Sequence, residues 1–474
     1  MNIISKYNII IMLYVFPNIS FCQKENAIWY FGGNQGDMIQ VGAGIDFNSG
    51  SPVTLTNSAM PFTEGSAVQC DRNGNLMFYT NGQTIWNKSH SVMQNGTGLC
   101  GHWSSQQSAI IIPFPSDTSL YYVFSNAGYP TGGGGGLYYS VINSTLNGGL
   151  GAVTNTKCVS LLPSTGEGFA ATWHSNTNDY WVVVSQNSTS VLFSFHISAL
   201  GISPPVLSNL NINNKWCWKI DFNNKGNMLT LLSEKNVAGV STARYISYFN
   251  QNTGLISTPF YVDTTIGFSG ACFSTDDNLI YYYGGPTNLT LYQCDLNAPD
   301  IPASKLQIKQ FSSGIFPYLD MKLGPDGKIY CNKSFSADSI DRINFPNILG
   351  VGCAYESNAI YLGGKKSGNL FSSKTFGKNI KPTGLIYITK SNSLKSFVHP
   401  NPNNGSFVLK LKDSKHQEFE ISIYDVAGKQ IYFEMKKETM HEIKLNYNLV
   451  NGFYFVKIKF EDGTVDVHRL IISN

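Results

Sequence analysis

The sequence predicts an all-β protein, a seven-bladed β-propeller followed by a small immunoglobulin-like β-sandwich. Three observations lead there. The first 390 residues show almost no helical periodicity and are instead broken into short aromatic and β-branched runs. A unit of turn and then aromatic strand recurs through that region at a regular spacing. Composition then changes abruptly near residue 391, with 21 charged residues in the last 84 against 41 in the preceding 368.

Residues 1–22 read as an export signal. Lys6 supplies a short positive stretch, "YNIIIMLYVF" an apolar run, and Pro17 breaks it. Ser20 and Cys22 then stand at the small-residue positions before a cut between Cys22 and Gln23. The run is short for a membrane anchor, and no later segment is apolar enough to cross a bilayer. The exported chain keeps eight cysteines, which permits disulfides without fixing their pairing. No pair has the CxxC spacing of a zinc site, and several sit in strand patterns where a buried free thiol is expected.

Residues 23–388 are the predicted propeller. "DRNGNLMFYTNG" shows the unit: Asn73-Gly74 favours a tight turn, and "NLMFYT" leaves it as a strand. With Asp71, Asp117, Asn178, Asn224, Asp276 and Asp326 as turn anchors, the spacings are 46, 61, 46, 52 and 50 residues. One such unit makes a four-stranded blade, which cannot bury both faces alone and must stack in a ring. Six anchors are visible in a length that holds about seven periods. "AIWYFG" and "GIDFN" at the start and "NAIYLGG" and "GLIYIT" at the end are therefore expected to share the closing blade.

"TKSNSLKS" (389–396) is the predicted linker and 397–474 the sandwich. Pro400 and Pro402 favour extended backbone, Gly405 permits a turn, and "SFVLKLK" places Phe407, Leu409 and Leu411 on one face. "EISIYDVAGKQIYF" reads as a hairpin, and "GFYFVKIKF" and "VDVHRLIIS" flank another turn at Asp462-Gly463.

Two resemblances attach to these residues. "WYFGGNQGDMIQVGAGIDFNSGSPV", "TEGSAVQCDRNGNLMFYTNGQTIWNKSHSVMQNGTGL", "LGPDGKIYCNKS" and "INFPNILGVGCAYESNAIYLGG", spanning most of 28–365, resemble an exported, propeller-like Bacteroidetes family associated with gliding motility. That resemblance implies a fold and a lineage but little chemistry. "HPNPNNGSFVLKL", "ISIYDVAGKQI" and "LVNGFYFVKIKFEDGTVDVHRLIIS" look like the C-terminal sorting domain of type IX secretion cargo. On that resemblance the sorting motif comprises Pro400, Asn401, Pro402, Gly405, Asp425, Gly428, Gly452, Tyr454, Gly463 and Arg469, the last standing where lysine is common. It implies the type IX machinery as partner and delivery to the outer-membrane surface or the medium.

Several function classes are disfavoured. Net charge is +3 with no basic cluster, so nucleic acid is not an expected partner. A sialidase needs convergent arginines, and outside the tail only Arg72, Arg244 and Arg342 exist. His90, His102, His174 and His196 share no ligand spacing, so no metal or other cofactor is expected. "TGGGGGL" (131–137) lacks the P-loop ending, and neither GxSxG nor HExxH occurs.

Glu64 and Glu167 remain, each followed by glycine and each seven residues before a turn residue, Asp71 and His174. Both are placed at inner-strand starts around the channel mouth. There they either bond backbone amides between blades, bind a ligand, or form a carboxylate pair acting on a sugar. Trp216 and Trp218 share a strand face and either pack between blades or stack on sugars. The expectation is a secreted or surface binding and adhesion module for a glycan or protein, not an enzyme. The alternatives are a polysaccharide hydrolase using Glu64 and Glu167 and a structural part of a surface motility apparatus.

Overall fold

The structure, a computed structural model, describes residues 24–473 except 34–39, 129–134, 213–216, 236–240, 266–269, 285–288, 312–319, 333–336, 368–372, 374, 377–395, 412–416, 426–429, 439–441 and 461–464. The predicted export signal, "GLIYIT" and residues 389–395 of the predicted linker lie outside the described residues. The chain divides into two compact units, 1–378 and 379–474.

The first unit is a succession of sheets, antiparallel throughout except for one parallel pairing, Ala152 with Gln94, that joins the second and third edge to edge. Sheet 1 contains Ile28–Tyr30, Gly44–Asp46 and Val53–Leu55; sheet 2 contains Ala67–Cys70, Leu76–Thr80, Thr84–Asn87 and Val92–Thr97. Sheet 3 begins Ala109–Pro113, Leu120–Asn126 and Leu137–Asn143, and sheet 4 begins Phe169–Trp173, Tyr180–Ser185 and Val191–Ser198. In both, two short further strands pair with the third. Sheet 5 holds Cys217–Phe222, Met228–Lys235, Ser241–Tyr248 and Phe260–Thr265; sheet 6 holds Ala271–Phe273, Leu279–Gly284, Thr290–Asp295 and Leu306–Gln310. Sheet 7 holds Met321–Leu323, Ile329–Cys331, Ser339–Ile343 and Tyr355–Tyr361.

Each of the six turn anchors falls in the first hairpin of one of sheets 2 to 7. The physical cause is plain at Asp71, whose Oδ1 accepts the N–H groups of Asn73 and Asn75 at 2.8 and 2.9 Å. Gly74 completes that turn at φ +90°, and a Cβ there would lie 2.0 Å from Asn48 Oδ1.

Alternate residues of each central strand bury against opposite neighbours. In Leu279–Gly284 every position is buried, with Ile280 and Tyr282 packed toward sheet 5 and Tyr281 and Tyr283 toward sheet 7. Val182 and Val184 likewise face sheet 3 while Val183 faces sheet 5. Such cores join each sheet to the next, and a last one joins sheet 7 to sheet 1 through Tyr330, Ile340, Ile360, Trp29, Phe31 and Phe47. The Trp29 ring meets that of Tyr330 edge-on at 5.6 Å. The ring is closed, which makes the unit an all-β propeller.

Closure differs from expectation in one respect. "NAIYLGG" does not share a blade with the N-terminal strands. Tyr355–Tyr361 pairs with Ser339–Ile343 and is the outer strand of sheet 7. The short return between them makes that local hairpin, leaving sheet 1 to N-terminal strands among the described residues. The chain then comes back into the ring. Ser373 N–H donates to Ser66 O at 2.8 Å, Thr375 Oγ1 to Val68 O at 3.0 Å, and Phe376 meets Trp173 and Tyr180 edge-on, both at 5.6 Å.

The second unit is a two-sheet sandwich. Ser396–His399, Ser406–Leu411 and Glu442–Asn446 form one sheet; Gln430–Glu438, Gln417–Asp425, Gly452–Phe460 and Val465–Ile472 form the other. Ser396, the last linker position by sequence, opens the first strand. Phe407, Leu409 and Leu411 face the core, where Ile421, Ile423, Val456, Ile458 and Leu470 meet them. The Asn-rich motif stitches the two ends of the unit together: Asn401 Oδ1 accepts the Ile471 N–H at 2.7 Å, and Asn403 N–H donates to Ile471 O at 2.9 Å. Gly405, at φ +99°, has Tyr447 O 2.3 Å from where a Cβ would stand. Gly428 and Gly463 lie outside the described residues.

Cys100 and Cys158 form a disulfide between the loop after sheet 2 and the outer edge of sheet 3. Cys70, Cys217, Cys272, Cys294, Cys331 and Cys353 are free and buried. Non-reducing peptide mapping is expected to return one cross-linked pair, Cys100–Cys158. A thiol reagent should label those six cysteines only after unfolding.

Candidate functional site

The first strands of sheets 4 to 7 line a cavity of about 270 Å³ on the ring axis, closed partly by the returning residues Ser373 and Thr375. Its charged side chains come from the first strands of two sheets. Lys219 and Asp221 stand two apart in sheet 5; Asp320 and Lys322 stand two apart at sheet 7. Period two puts both members of each pair on one strand face, so two charges per strand converge on the axis.

Lys219 Nζ lies 3.1 Å from Asp320 Oδ2, and both side chains are about 95% buried. Burial pulls the Lys219 ammonium down, but Asp320 and Asp221 outweigh it and hold it above its ordinary value. Burial pushes the Asp221 carboxyl up to about 6, against the pull of Lys219. Burial drops Lys322 to about 7; its Nζ donates to Ser373 O at 3.1 Å and sits 4.5 Å from the Trp29 ring centroid. Behind this group Arg244 is fully buried, donating to Thr230 Oγ1 at 3.2 Å and to Gly270 O at 3.4 Å.

Glu64 and Glu167 do come together, at the starts of the first strands of sheets 2 and 4, on either side of sheet 3. Ser104 Oγ donates to Glu64 Oε1 at 3.2 Å, and Gln106 N–H donates to Glu167 Oε2 at 3.3 Å. Burial raises Glu64 to about 7; burial, and then the charge of Glu64, raises Glu167 to about 8. Neither lines the axial cavity. Trp218 is half-buried and also absent from its lining, and Trp216 lies outside the described residues. The arginines do not converge. Arg72 is exposed in the first turn of sheet 2, Arg342 pairs with Glu356 at 2.7 Å in sheet 7, and Arg244 is internal.

Sequence reasoning missed the Lys219, Asp221, Asp320 and Lys322 group. The available signal was a pair of charges two apart inside otherwise apolar strands, "KID" and "DMK".

The Glu167 carboxyl has a sign-definite consequence. Between its ordinary 4.5 and about 8 the folded chain keeps a proton that the unfolded chain has lost. Stability therefore falls as pH rises through that window and levels off above it. Glu167→Gln is expected to flatten this slope and to raise stability at pH 8 by roughly 3–5 kcal/mol, measured by urea unfolding across pH.

Comparison with known proteins bears mainly on the tail. Residues 397–473 match the family of secretion system C-terminal sorting domains. A search of curated proteins returns no match. Among solved structures, a candidate 6-phosphogluconolactonase of Bacteroides uniformis is 12% identical, with TM-score 0.45, 67% of this chain and 92% of that chain covered. Another from Bacteroides fragilis is 9% identical, with TM-score 0.46 and coverage of 74% and 98%. These likenesses are too distant to carry chemistry, and the propeller assignment rests on the sheet order and the closed ring of cores. The tail match is specific: residues 397–473 carry the sorting signal of type IX secretion.

Proposed function

We propose that this chain is an exported binding module, carried through the outer membrane by its tail and holding a hydroxyl-rich ligand, such as a sugar unit of a surface glycan, in the axial cavity. The observation that carries this reading is the buried group of Lys219, Asp221, Asp320 and Lys322 around about 270 Å³ of space. Buried ions are costly to a fold that needs only packing, and apolar replacements are often neutral or stabilising. Ammonium donors alternating with carboxylate acceptors, with Lys219 and Asp320 mutually neutralised, suit a neutral ring of hydroxyls rather than an anion.

Catalysis by Glu64 and Glu167 has less support. Glu167 is buried, both carboxylates accept hydrogen bonds from groups beside sheet 3, and neither lines the cavity. The resemblance of 28–365 to gliding-motility-associated proteins supports a cell-surface setting for the ligand.

Two measurements test the reading. Removal of residues 379–474 is expected to leave the folded propeller in the periplasm, read by fractionation and immunoblot; normal surface delivery would refute the export route. On a glycan array, the processed chain should select a small set of sugars. Lys322→Met and Asp221→Asn should each weaken that binding at least tenfold with unchanged circular dichroism. Binding indifferent to both variants would move the ligand off the axis.

A further inference from the structure

We infer that His174, Asp179 and His196 form a binding site for one borderline divalent cation of the zinc class, on sheet 4, between the turn of its first hairpin and its third strand. One ligand atom from each residue lies within 4.8 Å of the other two. His196 Nε2 is 3.1 Å from Asp179 Oδ2. Two imidazoles and one carboxylate are the donor set of zinc, cobalt, nickel or copper, whereas calcium and magnesium take oxygen cages.

The site is built, not a chance meeting of surface groups. His174 opens the turn after Phe169–Trp173, where sheet 2 has Asp71 and sheet 5 has Asn223. Those two close their turns with a side-chain oxygen. In sheet 4 Asn176 does much of that work, its Oδ1 accepting the N–H groups of Asn178 and Asp179 at 2.9 and 3.0 Å. An imidazole at the opening position is therefore more than the turn requires. Asn176 Nδ2 donates at 2.8 Å to Asp179 Oδ2, the oxygen that faces His196, and so holds the carboxylate in place. Trp181 sits beside both imidazoles, with ring centroids 5.8 Å from His174 and 4.9 Å from His196.

Access is also right for a metal. The His196 side chain is 28% exposed and that of Asp179 14%, so solvent can complete the coordination shell. Binding replaces two contacts. The Asn176 N–H donates to His174 Nδ1 at 3.1 Å, which puts the ring proton on Nε2. Ligation through Nε2 moves that proton to Nδ1, and ligation through Nδ1 displaces the N–H, so this hydrogen bond is lost; a metal held by His196 Nε2 and Asp179 Oδ2 also takes the place of the 3.1 Å hydrogen bond between them. Sequence spacing hid the site, since His174 in a turn and His196 on a later strand are 22 residues apart.

The test uses the full exported chain, free of any polyhistidine tag and stripped with a chelator, titrated with Co²⁺ and then Zn²⁺. One equivalent of Co²⁺ should bind with a micromolar or tighter constant. The visible bands should be those of a four- or five-coordinate ion with no thiolate charge transfer, and Zn²⁺ should abolish them. His174→Asn keeps a turn-closing side chain while removing a ligand. It should weaken binding at least tenfold at an unchanged melting temperature without metal, and so should His196→Gln. Absence of stoichiometric binding, thiolate bands, or full affinity in both variants would overturn the site.

Discussion

A four-stranded sheet with two apolar faces has no stable existence alone, and the architecture of this chain follows from that constraint. Each sheet of the first unit is covered on both sides by its neighbours, and the last core, around Trp29 and Tyr330, covers the faces that an open row would leave wet. The constraint explains why strands such as "LIYYYG" are continuously apolar rather than alternating: odd and even positions have different, equally dry destinations. It also explains why the turns carry so much of the chain's Asn, Asp and Gly. With every strand interior committed to packing, polar residues that shape the backbone must sit in the hairpins.

Closing the ring brings the first strands side by side, and burial there is imposed by geometry whatever the residue. A charge on such a strand has to find its opposite on another strand. Lys219 of sheet 5 does so with Asp320 of sheet 7, across 101 positions of sequence. Glu64 and Glu167 show the other outcome. They have hydroxyl and amide donors but no cation beside them among the described residues, so burial drives their carboxyls upward, and each is tied to the segment leading into sheet 3. One axis thus presents two environments, an ion-paired cavity and a proton-retaining carboxylate pair. Their different chemistry comes from which partner the ring supplies, not from the acidic residues themselves.

Local signals made most of this legible in the sequence. Asp71, Asn224 and Asp326 announce their hairpins because the turn is closed within a few residues, and the sandwich core announces itself through Phe407, Leu409 and Leu411 on one face. What stayed hidden depends on residues far apart. Sheet 1 has no turn anchor, since its first two strands are joined by the long passage between Tyr30 and Gly44 rather than by a tight hairpin. The cavity charges and the His174, Asp179 and His196 group are brought together from separate strands and turns; each cavity strand shows at most a pair of charges two apart, and its partner lies on another sheet. The sequence did single out Glu64 and Glu167, because each is followed by glycine and stands seven residues before a turn residue.

The returning segment ties these levels together. Ser373 and Thr375 hydrogen-bond the first strand of sheet 2, Ser373 O accepts from Lys322, and Phe376 is buried between sheets 3 and 4. The propeller's last described residues are therefore part of its cavity wall, and the sorting domain follows in sequence from there. A cut upstream of Ser373 would take away the acceptor of the Lys322 ammonium and the wedge between two blades. A cut downstream of Lys378 would leave both. If the tail is removed after export, the position of that cut decides whether the released propeller keeps Ser373 and Thr375 in its cavity wall.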